Sequence, residues 1–106
     1  MAEKTTLGRI PPYSNEAEQS VLGILLRAGD KIDTALEIIR AEDFYNPIHS
    51  DIFRAMVSLS AKSAPIDLLT SIEELRKMGK LEEIGGVAYL GELSNKVVTT
   101  LNIEYY

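Results

Sequence analysis

The side chains able to do chemistry are few. One His, His49, and no Cys occur in the 106 residues. A thiol nucleophile, a disulfide framework and a thiolate metal site are therefore excluded, and a single imidazole makes a conventional zinc centre a poor fit. Carboxylates come as adjacent pairs, Glu42-Asp43, Glu73-Glu74 and Glu82-Glu83. General acid–base work needs carboxylates held in different environments inside a pocket. Adjacent ones on polar helix faces read instead as solvated charge, some of it complementing helix N-termini. His49, at the third position of a capped helix start, reads as structural or capping. Asp51, two residues on, points to a different helix face, so the local sequence builds no triad. The one Gly-Lys pair, Gly79-Lys80, is followed by Leu81, and Glu74 stands where a phosphate-binding loop needs its first Gly.

Charge narrows the partner class. Eleven Lys and Arg face 16 Asp and Glu, a net −5, with five basic and nine acidic residues in 1–53 and six and seven in 54–106. Phosphate binding calls for a basic footprint, so autonomous binding of DNA or RNA is disfavoured, as is binding to an anionic membrane. Apolar runs are short, Ile24-Leu25-Leu26 among them, far from the roughly 18–20 residues that span a bilayer. The N-terminus, Met1 to Thr6, lacks the apolar core of a signal peptide. The expectation is a cytoplasmic domain whose partner is a protein.

These residues must be carried by helices. Six helical segments can be read and no strand, so the fold class is all-α, a compact bundle of about six short helices. Ile10-Pro11-Pro12-Tyr13 is an extended lead-in, making residues 1–14 a flexible entry and 15–106 the folded part. Ser14 or Asn15 caps the first helix, and Asn15 with Glu18 has the spacing of a capping box. Ala17, Val21, Leu22, Leu25 and Ala28 share a face, and Gly29 is the expected stop. Asp30 is the expected cap of the second helix, with Ile32, Ala35, Leu36 and Ile39 at helical spacing. Asn46 and Pro47 start the third, whose stripe is Ile48, Ile52, Phe53, Met56 and Leu59. Asp67 caps the fourth, with Leu68, Leu69, Ile72, Leu75 and Met78 before Gly79. After one turn at 81–84, Gly85-Gly86 resets the backbone for a fifth helix from Val87 to about Ser94. A sixth is expected to begin near Thr100. A helix starting so near the end cannot stand alone, so the chain reads as a piece of something longer. Glu92 and Lys96 form an expected exposed ion pair of small value. Tyr89, within the fifth stripe, is either core or a partner contact, since tyrosine serves both.

Taken together, these segments resemble a known family. Ile10-Pro11-Pro12 followed by Glu16-Ala17-Glu18-Gln19-Ser20-Val21-Leu22-Gly23 is similar to the opening of the DnaB-type replicative DNA helicases. Glu42-Asp43-Phe44-Tyr45 leading to His49, Ile52 and Phe53 follows in the family's order. So do Pro65-Ile66-Asp67-Leu68, the run from Leu81 to Leu90, and Asn102-Ile103-Glu104-Tyr105-Tyr106. The resemblance runs from about residue 9 to 106. It implies the globular head of a helicase N-terminal domain, ending before the helical hairpin, the linker and the ATPase domain. It further implies a noncatalytic role: a collar, a trimer of dimers, that supports the hexameric ring and docks the C-terminal domain of primase. No cofactor is expected in this piece; ATP and Mg belong to the longer parent. The family's primase-communication positions correspond to Glu16 and Tyr89, although Glu16 is equally readable as a helix-start carboxylate. The competing readings are a primase's C-terminal helicase-interaction domain, a small helical acid–base enzyme, and a nucleic-acid-binding module.

Overall fold

A computed structural model describes residues 14–104, with side chains to residue 96. Five α-helices and two short 3-10 turns make up the described chain, and no strand occurs among those residues. The lead-in at 10–13 and the closing Tyr105-Tyr106 lie outside them. No described helix is long and apolar enough to cross a membrane.

Helix α1 spans Asn15–Arg27 and is capped by Ser14, whose Oγ accepts the Ala17 N–H at 3.1 Å. Leu22, Leu25 and Leu26 turn into the core. The expected capping box does not form, because the Glu18 carboxylate is drawn inward to other partners. Gly29 is not a left-handed stop either. Ala28 closes the helix, and Gly29 opens a 3-10 turn, Gly29–Lys31. Its lack of a side chain answers a close approach: a Cβ there would lie 2.1 Å from the Ile66 carbonyl oxygen.

Helix α2, Ile32–Leu36, is one short piece. Asp30 does not cap it; that place falls to Lys31, whose side chain makes no capping bond. Ile32 and Ile39 are buried while Leu36 and Ile38 reach solvent, because the helix ends before a full apolar stripe can wrap inward. A second 3-10 turn, Ala41–Asp43, leads to Phe44, whose ring packs on Phe53 with centroids 5.2 Å apart.

Helix α3, Pro47–Ala61, starts as its residue types dictate. Asn46 Oδ1 accepts the Ile48 N–H at 3.0 Å, and Pro47 takes the first turn, where a missing N–H costs nothing. Ile52, Phe53, Ala55 and Met56 on this helix are fully shielded from solvent. Helix α4, Leu68–Lys77, opens on a reciprocal cap: Asp67 Oδ1 accepts the Thr70 N–H at 2.8 Å, and Thr70 Oγ1 accepts the Asp67 N–H at 2.9 Å. Ile72 and Leu75 are buried, but Leu69 points outward. Leu81 and Ile84 of the next turn also join the core.

Helix α5 runs unbroken from Gly86 to Glu104. The two segments expected at 87–94 and near 100 are thus one helix. The intervening Asn95-Lys96-Val97-Val98-Thr99-Thr100 contains weak helix formers but no Pro or Gly. A deficit of roughly 0.7 kcal/mol or less per residue does not stop a helix already nucleated. Helix α5 packs chiefly on α1, and α3 lies against α4. The radius of gyration is 13.2 Å, close to the ~13 Å of a compact 100-residue domain.

Candidate functional site

Helical registry carries polar groups into the interior at two places. On α1, Glu18 precedes Leu22 and Leu25 by four and seven residues; on α3, His49 precedes Ile52, Phe53 and Met56 by three, four and seven. Both therefore lie on buried stripes, and both are enclosed, Glu18 at 1% and His49 at 0% exposure. Glu18 Oε1 lies 2.7 Å from His49 Nδ1. The same carboxylate accepts the Tyr45 N–H at 2.6 Å through Oε2 and the Asn46 N–H at 3.3 Å through Oε1. On the far side of the imidazole, Nε2 lies 2.6 Å from the Tyr89 hydroxyl, which also accepts from Gln19 Nε2 at 3.1 Å. The His49 and Tyr89 rings are nearly parallel, 8° apart.

One assignment of protons satisfies every atom of this chain. Gln19 donates to Tyr89, Tyr89 donates to Nε2 of a neutral His49, and Nδ1–H donates to the ionised Glu18. The order carboxylate, imidazole, hydroxyl is that of a nucleophilic triad. Here, however, the hydroxyl is a phenol with its own donor already in place. Three surface cavities among the described residues, of about 290 to 490 Å³, are lined by other residues. The arrangement fastens the start of α3 to α1 and α5.

The second place is Glu74 on α4, 5% exposed. Its Oε1 lies 2.7 Å from Lys62 Nζ, and its Oε2 accepts the Ser58 hydroxyl at 2.5 Å. The Lys62 bond foremost, then the Ser58 bond, hold its carboxyl below the ordinary value of 4.5. A general acid would need the opposite shift, toward neutrality. Glu74 thus corrects the expectation that all the acidic pairs are solvated. The expectation does describe Glu42, Glu73, Glu82 and Glu83, which are exposed, with Glu73 in a surface pair with Arg76. Among the described residues no group of three or more His, Cys, Asp or Glu could hold a metal ion.

The two residues singled out by family resemblance fall in different settings. Glu16 is exposed in the first turn of α1. Tyr89 is half-buried, and its hydroxyl closes the buried chain; Glu16 takes no part in that chain. Reading the sequence alone missed Glu18, Gln19 and His49 as a unit. The available signal was registry, a carboxylate and an imidazole each in phase with an apolar stripe on its own helix.

The family model described as the DnaB-like helicase N-terminal domain matches residues 10–106. The chain is 46% identical over 99 residues to the replicative DNA helicase DnaB of Rhodothermus marinus, covering 93% of this chain and 10% of that protein. It is 48% identical over 98 residues to the replicative DNA helicase DnaB of Geobacillus stearothermophilus, covering 92% of this chain and 22% of that protein. The crystal structure of the N-terminal domain of DnaB helicase from Mycobacterium tuberculosis is similar with a TM-score of 0.78 and 41% identity. That match covers 83% of this chain and 61% of that one. The chain spans about a fifth or less of the length of the helicases it matches.

Proposed function

The chain belongs to the DnaB-like helicase N-terminal domain family, and from that premise we propose that it supports assembly of a hexameric replicative helicase and recruits primase to it. In this reading the parent's ATP-driven strand separation resides outside these residues, and this domain contributes contacts. The observation that carries the reading is the closure of the Glu18–His49–Tyr89 chain, which commits the reactive side chains to holding helices together. The outward surface of this chain of net charge −5 includes the apolar Ile38, Tyr45 and Leu69, all more than half exposed. That surface suits protein contacts better than a phosphate backbone.

Primase recruitment is tested by sedimenting the C-terminal domain of primase with the parent helicase or with a parent lacking residues 1–106. Co-sedimentation with the intact helicase alone is the expected result; equal binding to both removes primase recruitment from this domain. Assembly is tested on the isolated chain. In the parent reading, residues beyond 106 share the collar contacts, so sedimentation at tens of micromolar should show monomers or weak dimers. A stable hexamer of the 106-residue chain contradicts that division of contacts.

A further inference from the structure

Two shallow apolar cavities flank the end of α2. One, of about 330 Å³, is lined by Val21, Ile24, Leu25, Ala35 and Ile38, with Lys31 at its border. The other, of about 290 Å³, is lined by Leu36, Phe53 and Val57, with Arg40 and Arg54. Ile39 lines both, so the two adjoin at a ridge that carries Leu36 and Ile38. That ridge is apolar and open to solvent, Ile38 at 60% and Leu36 at 38% exposure.

The charges around it are selective. Lys31, Arg40 and Arg54 form no side-chain ion pair among the described residues, whereas Lys62, Arg76 and Lys80 each hold a carboxylate. Glu42 is the one carboxylate among the residues lining the two cavities. Three cations against one carboxylate among the lining residues is a local inversion of sign in a chain of net charge −5. We propose that this groove is a docking site for an acidic amphipathic helix of a partner protein. The partner's apolar side chains enter the two cavities, and its carboxylates meet Lys31, Arg40 and Arg54. Residues 1–13 of the chain itself have the wrong sign for this role, carrying Lys4 and Arg9 against Glu3. The inference goes beyond the primase reading and does not depend on it.

The test uses the 106-residue chain, isotopically labelled for NMR, and a synthetic helical peptide of about 16 residues with Leu at i, i+4 and i+7 spacing and Glu on the opposite face. Saturable binding is expected, with shifts centred on Ile24, Ala35, Ile38 and Val57. Affinity should fall about tenfold or more in the R40E/R54E variant, and for a peptide with Lys replacing every Glu. Both arginines are exposed, so the variant should fold, which circular dichroism verifies. Absence of saturable binding up to about 1 mM peptide, equal binding of the Glu and Lys peptides, or shifts centred elsewhere overturns the proposal. So does a concentration-dependent dimer that Ile38→Asp abolishes, since a second copy would then be the occupant.

Discussion

Glu18 and Glu74 are both nearly sealed from water, yet they are stabilised in different ways. Glu18 relies on two backbone N–H groups and an imidazole. Removing it leaves His49 and two amides without their acceptor in a dry interior. Each buried donor left without its acceptor costs about 1–3 kcal/mol, so Glu18→Ala should lower the urea unfolding free energy by about 3 kcal/mol or more. A loss under ~1 kcal/mol would mean that water replaces the carboxylate. Glu74 relies on an ammonium and a hydroxyl, and its pKa is depressed in the folded state. The unfolded chain therefore binds this proton more readily than the folded one. The stabilisation is fully present above the ordinary value of 4.5 and disappears as pH falls through the lower folded value. Unfolding curves recorded from pH 7 downward should show this loss, and Lys62→Met should flatten it. An unchanged acid limb in that variant would place the titration elsewhere.

At the scale of the element, chain stops explain more of this fold than apolar periodicity does. Helices α3 and α4 end in the same motif. Ala64 N–H donates to Leu59 O and Ser63 N–H to Ser60 O after α3; Lys80 N–H donates to Leu75 O and Gly79 N–H to Arg76 O after α4. The left-handed residue is Gly79, at φ 74°, in one and Ser63, at φ 59°, in the other. Only Gly adopts that conformation without a Cβ penalty. Ser63→Gly should therefore stabilise the protein by about 0.5–1 kcal/mol in thermal unfolding, and destabilisation would show that the Ser63 side chain has a role of its own. The same stops mark what the sequence made legible. Asn46-Pro47, Asp67 and Gly79 announce their helix ends through local chemistry, and each acts as expected. Asp30 and Gly29 mislead, because tertiary packing decides there: a close approach to Ile66 requires Gly29. The supposed gap before Thr100 misleads for the converse reason, since weak propensity alone ends no helix.

For the whole molecule, the all-helical class and the family were readable from spaced motifs. The polar interior was less readable. It joins residues 31 and 40 positions apart, and no local pattern reports which helices will meet. The central claim is that this domain acts by contact while the chemistry belongs to the rest of the parent. Glu16 and Tyr89 are its sharpest points, one exposed and one anchored by its hydroxyl. The most direct measurement is primer synthesis by primase in the presence of parent helicase carrying Glu16→Ala and Tyr89→Phe, with ATP hydrolysis and cooperative unfolding recorded on the same preparation. The account predicts that stimulation of primer synthesis falls while ATP hydrolysis and the folded state persist. Unchanged primer synthesis by a folded, ATP-hydrolysing variant would contradict it.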